Sequence, residues 1–290
     1  MPSRFRSPVV VAALLLASAS LPLAAQGGGA PRTPRSDSAR TASRLDMEGS
    51  TADARKIFQA LVESAPDPAA KAAAQRALAM SYAFDGDCVN AVNLEEQVIA
   101  YWSTREQAEP QNAWYQEGEM ANEAGRVCID AGNIDLAEKM YRRGAQLGQR
   151  EPEPRTHPRS LWDYRLAHAL ARIAARRGQR AEAGRQVQAA RKLLDADSAM
   201  AAAQERYYPY LVGYVALYTD DLEQAQTALT NAVQANATDP FMHYLLAMTY
   251  EKTKQPDKAK AFYQKAYDLA TGHNPPAAFT RPNAKKKLAS

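Results

Sequence analysis

The chain has 290 residues, 46% of them hydrophobic and 23% charged, with a formal net charge of +4 and only two cysteines. Nothing in that near-neutral balance asks for nucleic acid, whose binding needs a concentrated basic face. The length is enough for one large domain or one extended array of units.

Residues 1–25 read as a cleaved secretory signal: Arg4 and Arg6, an apolar run from Val9 to Ala17, then Leu23-Ala24-Ala25 before Gln26. An uncleaved anchor is the rival reading, although the run is short for a bilayer span. Cleavage removes two arginines and no acids, taking 36 basic residues to 34 against 32 acidic ones. The expected location is periplasmic or secreted, with no transmembrane segment in the mature chain. Cys88 and Cys128 are a disulfide candidate in such a compartment, and two buried free thiols are the alternative.

Residues 26–35 (QGGGAPRTPR) read as a flexible Gly/Pro linker with nothing to bury. From Ser36 onward the chain is rich in Ala, Gln, Glu, Arg and Leu, with no alternating run that supports a strand. The pattern predicts helices at 36–47, 51–64, 68–84, 88–103, 110–131, 134–147, 158–177, 180–194, 197–219, 221–236, 239–253 and 256–271, forming six antiparallel pairs. One five-residue step marks the pairs: Gly49, Gly86, Gly132, Gly178, Asp220 and Lys254 each precede an alanine, at Ala54, Ala91, Ala137, Ala183, Ala225 and Ala259. Each step reads as a tight turn, a helix start and a small residue one turn in, so the chain is expected to be a stack of repeated units. Residues 150–158 (REPEPRTHP) carry three prolines and predict a bend between the third and fourth units. Residues 274–290 read as a basic tail, solvated and too broken by Pro275, Pro276 and Pro282 to supply a terminal helix.

In the last two pairs Gly213, Ala225, Leu229 and Ala232 recur 34 residues later as Ala247, Ala259, Tyr263 and Ala266. Small residues at positions 8, 20 and 27, with an aromatic or Leu at 24, resemble the tetratricopeptide repeat. Upstream anchors include Phe58, Ala79, Gly125, Tyr141 and Ala171. The pattern departs from the family in its spacing of 37, 46, 46, 42 and 34 residues, in Glu95 at an aromatic position, and in the missing Trp at position 4. The resemblance covers about residues 36–273 and implies an all-α solenoid of about six helix pairs wound as a right-handed superhelix. A general bundle of helical hairpins is the alternative. In a repeat stack the start of the 88–103 helix and the end of the 110–131 helix share one edge, which would bring the two cysteines together.

The four histidines have no partner at metal-ligand spacing, and no nucleophile elbow, phosphate loop or dinucleotide fingerprint occurs. Carboxylate pairs such as Glu95-Glu96 and Asp220-Asp221 are read as solvated. No enzyme and no cofactor is expected. Tyr207, Tyr210, Tyr214 and Tyr218 share one helical face by their i, i+3/i+4 spacing. The resemblance implies that this face lines a concave groove, beside Arg165, His168, Arg172 and Arg176 of unit four and Phe241 and Tyr244 of unit six. Packing of the tyrosines in the core between units is the other reading. The Lys/Asn clamp that some family members use for carboxylates is not reproduced. The expected function is a non-catalytic scaffold binding a protein or peptide with acidic groups. The alternative is a structural subunit of an envelope assembly, held through its convex face or an uncapped C-terminal end.

Overall fold

The computed structural model describes residues 34–289, and among these it is helical with no strand. The signal segment 1–25 and most of the linker lie outside the described residues. Pro34 and Arg35, read as linker, instead open the first helix. Proline is tolerated in a first turn, and Arg35 donates to the carbonyls of Leu61 at 2.7 Å and Ala70 at 3.2 Å.

Unit one pairs α1 (Pro34–Glu48) with α2 (Thr51–Glu63), and unit two pairs α3 (Pro68–Phe84) with α4 (Cys88–Ser103). Unit three is α5 (Pro110–Ala131) and α6 (Ile134–Gly148), and unit four is α7 (Arg159–Arg176) and α8 (Arg180–Ala196). A short α9 (Ser198–Gln204) and a 3-10 turn (Glu205–Tyr207) lead into unit five, α10 (Tyr208–Tyr218) and α11 (Leu222–Ala235). Unit six is α12 (Pro240–Lys252) and α13 (Pro256–Leu269), followed by α14 (Pro275–Ala289).

The single helix expected over 197–219 is broken because Pro209 has no N–H for the Glu205 carbonyl and its ring crowds that turn.

The turns follow from backbone sterics. Gly49, Gly86, Gly132 and Gly178 have φ of 96°, 71°, 88° and 71°, and Asp220 and Lys254 have 58° and 57°. These six turn positions are the residues with positive φ among those described. The alanine five places after each is buried, at most 4% exposed. Close approach does the rest: a Cβ on Gly213 would stand 2.6 Å from Leu229 Cγ, so only glycine lets α10 and α11 meet there.

Units three and four are joined by packing as well as by chain. Trp162 of α7 is fully buried against Gly118 and Gly148, where any side chain would collide with its ring. In the proline-rich bend Arg155 donates to the carbonyls of Gly148 at 2.8 Å, Gln149 at 3.1 Å and Glu151 at 2.6 Å, satisfying the end of α6. Cys88 at the start of α4 and Cys128 near the end of α5 form a disulfide with Cα atoms 4.9 Å apart. The chain-entropy account assigns such a loop about 3–4 kcal/mol.

Two expectations are corrected. Glu95 is not solvated: it occupies a core position of α4, is 1% exposed, and neither carboxylate oxygen has a hydrogen-bond partner. Burial, then the Glu123 charge, raises its pKa well above the usual carboxylate range. The tail 274–290 is not an irregular solvated segment either. Pro275 and Pro276 fall in the first turn of α14, where their missing N–H groups cost nothing, and its alanines fit close to other helices.

That last helix closes the array. It packs on α13 and on the first helices of units one, two, three and six. Just before it, His273 Nε2 lies 2.8 Å from Asp46 Oδ2, and its ring stands 5.3 Å from Phe58 and 5.6 Å from Phe84.

The buried alanines give a direct test. Ala259→Leu is expected to destabilise by about 1–3 kcal/mol through overpacking at the α12–α13 crossing. Loss of amide protection should spread into unit five, because repeat stability is shared between neighbours. An unchanged thermal melt would show that Ala259 does not sit at a helix crossing.

Candidate functional site

The first helices of the units form the inner face, and α14 covers its part in units one, two, three and six. One cavity of about 600 Å³ lies between α14 and α1, α3 and α5, and another of about 270 Å³ is lined from α5, α6, α7, α9, α10 and α12 and the turn before α10. The second has room for one side chain of a partner rather than a large ligand.

Charge dominates the walls. Arg172 is 5% exposed, and its guanidinium donates to Tyr141 Oη at 3.0 Å and Tyr210 Oη at 3.3 Å. No carboxylate lies within ion-pair distance of it among the described residues. Arg126 donates through Nε to Asp130 Oδ2 at 2.7 Å and lies 4.1 Å over the Phe241 ring, leaving Nη2 buried without a partner. Arg165 is ion-paired with Glu119. Burial holds the His168 imidazole well below its usual pKa, and the Arg172 and Arg126 charges push the same way, so it faces the cavity as a neutral ring. Burying a guanidinium costs several kcal/mol unless a counter-charge offsets it, and the tyrosine hydroxyls around Arg172 offer dipoles only.

The ten residues expected to line a groove divide into three sets. Arg165, His168, Arg172, Tyr207, Tyr210 and Phe241 meet at the cavity. Arg176, Tyr214 and Tyr218 run away from it. Arg176 donates to the Ile129 carbonyl at 2.9 Å at the end of α5 and to Tyr214 Oη at 3.4 Å. Tyr214 is fully buried, with the Tyr218 ring 4.6 Å away. Tyr244 lies beneath α14, its ring 5.3 Å from Phe279 and 5.1 Å from Tyr263.

Arg126 and Tyr141 also build the site. Tyr141 reads in sequence only as a packing aromatic. Among the described residues no group of three or more His, Cys, Asp or Glu side chains could hold a metal ion, and no helix is long and apolar enough to cross a membrane.

Residues 242–273, spanning most of unit six, match the family model described as tetratricopeptide repeat. Several solved structures are similar. One is MamA from Desulfovibrio magneticus RS-1, with 17% identity over 68% of this chain and 94% of that one and a TM-score of 0.32. Another is YrrB, described as a TPR protein with an unusual peptide-binding site, with 16% identity over 79% and 96% and a TM-score of 0.33. A third is a Podospora anserina putative kinesin light chain with nearly identical TPR-like repeats, with 18% identity over 83% and 97% and a TM-score of 0.39. No curated protein matches the sequence.

The placement of the tyrosines separates packing from binding. Tyr214→Ala is expected to lower stability by about 3 kcal/mol or more, as for a fully buried aromatic. Tyr207→Ala, at the partly exposed rim, should shift the melt far less. Equal small shifts for the two would contradict the burial of Tyr214.

Proposed function

We propose that this tetratricopeptide-like repeat protein is a non-catalytic scaffold of the cell envelope or secreted space that receives an acidic segment of a protein partner. The observation that carries the reading is Arg172, a buried guanidinium with no carboxylate partner on the wall of a cavity sized for one side chain. An Asp or Glu side chain, or a chain-terminal carboxylate, supplies the missing charge. Charge-assisted hydrogen bonds from Arg172 and the unpartnered Nη2 of Arg126 then hold it in a place that excludes water. Phe241 and Tyr210 line the cavity as buried aromatic contacts, the type most often found as anchors at interfaces. The basic, apolar and small-residue order of residues 1–25 supports export. The Cys88–Cys128 pair agrees with an oxidising compartment.

Arg172→Met is the informative variant. A methionine fills similar volume and removes a desolvated charge, so stability is expected to hold or rise. Panning a random peptide library on the folded wild-type protein should enrich Asp- and Glu-containing sequences. Those peptides should bind the variant at least about tenfold more weakly, the scale of one lost charge-assisted contact. Wild-type selection without acidic enrichment, or equal binding by both proteins, would contradict the reading.

A further inference from the structure

We propose that α14 is a tethered occupant of the concave face, and that a partner helix takes its place when the protein binds. The proposal rests on the reading of that face as a protein-binding surface, and it concerns how access to the face is controlled.

The position of α14 is that of a ligand. It touches the first helices of units one, two, three and six, which are separated by most of the chain. Ala278 packs into the core that holds Phe84 and Val127, while Ala284 packs into the core that holds Phe241 and Leu245. Phe279 reaches Phe241 and Tyr244, with ring centroids 5.3 Å away in each case, so the helix borders the arginine-lined cavity. Only residues 270–274 connect it to α13.

Its grip is weak for a helix so placed. Its fully buried residues are Ala277, Ala278, Thr280 and Ala284, and its larger apolar side chains, Phe279 and Leu288, pack only half-buried against the core. Thr280 Oγ1 is buried without a hydrogen-bond partner. Pro282 inside the helix cannot donate to the Ala278 carbonyl, which removes one rung of the backbone ladder. By contrast α12, on which it rests, buries Phe241, Met242, Leu245 and Leu246. Polar contacts near its edges hold α14 in register. Arg281 Nε donates to the Met47 carbonyl at 2.6 Å, and Lys287 Nζ pairs with Glu251 at 2.7 Å. A helix held by small buried residues, two half-buried apolar side chains and edge contacts opens more easily than its neighbours. Its departure uncovers an apolar floor continuous with the cavity, and a helix bringing larger apolar side chains would hold that floor more tightly.

Two measurements on the full chain test this. In hydrogen exchange, amides of α14 should exchange at least tenfold faster than those of α12 and α13. Exchange of α14 together with those helices overturns the proposal. The second uses Phe279→Ala combined with Arg281→Ala, both on α14 itself, and a fluorescein-labelled peptide of residues 272–290 as the probe. The variant should keep wild-type protection in α3 to α13, and should bind the peptide at least tenfold more tightly than the wild type does. Protection lost throughout the variant would show that α14 is a structural part of the core. An opened α14 without peptide binding would show that the face does not receive helices. Equal peptide binding by both proteins, with acidic-peptide selection intact, would remove the role of α14 and leave the proposed function standing.

Discussion

Asp46, near the end of α1 and 2% exposed, accepts a hydrogen bond from Ser81 Oγ at 2.7 Å and holds His273 at 2.8 Å. The second contact joins residues 227 apart in sequence, and the rest of the arrangement depends on it. It ties the segment after unit six to unit one, which sets where α14 begins and which helices it meets. Arg126 of unit three, stacked 4.1 Å from the Phe241 ring of unit six, is a second bond across the same interior. An open array of the same units would have neither contact, and its inner face would be a broad groove. Here α14 covers part of that face, beside the arginine-lined cavity.

Stability is unevenly spread across the molecule. The inter-unit packing is dense and apolar, with glycines and alanines where helices cross and a disulfide between units two and three. Set against it are groups whose burial opposes folding: Glu95 without a partner, Arg172 without a counter-charge, and Thr280 with an orphaned hydroxyl. Glu95 stands where the resembled repeat places an aromatic, and it lies beside the Glu123–Arg76 ion pair. Arg172 and Thr280 sit at the cavity and on α14, the two places where a partner would change the surroundings.

Much of the architecture is legible in the sequence because local sterics dictate it. A turn that needs positive φ selects glycine, and a close crossing selects alanine, so Gly132 and Ala137 announce a helix pair by themselves. The break before Tyr208 was readable from Pro209 and was obscured by the strong helical composition on either side. The candidate site was only half legible. A tyrosine carries an apolar body and a polar tip, so the spacing of Tyr207, Tyr210, Tyr214 and Tyr218 fits a core and a groove equally well. Their separation into rim and core depends on how unit four packs on unit five. The fate of the tail was hidden for a different reason. Its alanines and prolines carry little hydrophobic signal, and what holds it is a surface assembled from units far away in the chain.

The most direct test of closure is a double-mutant cycle on Asp46 and His273, read as unfolding free energy of the full chain for Asp46→Ala, His273→Ala and the pair. The account predicts a coupling of about 1 kcal/mol or more, as expected for groups that share a buried hydrogen bond. Single effects that add within about 0.3 kcal/mol would contradict it, since independent sites behave that way and the two ends of the array would then not meet.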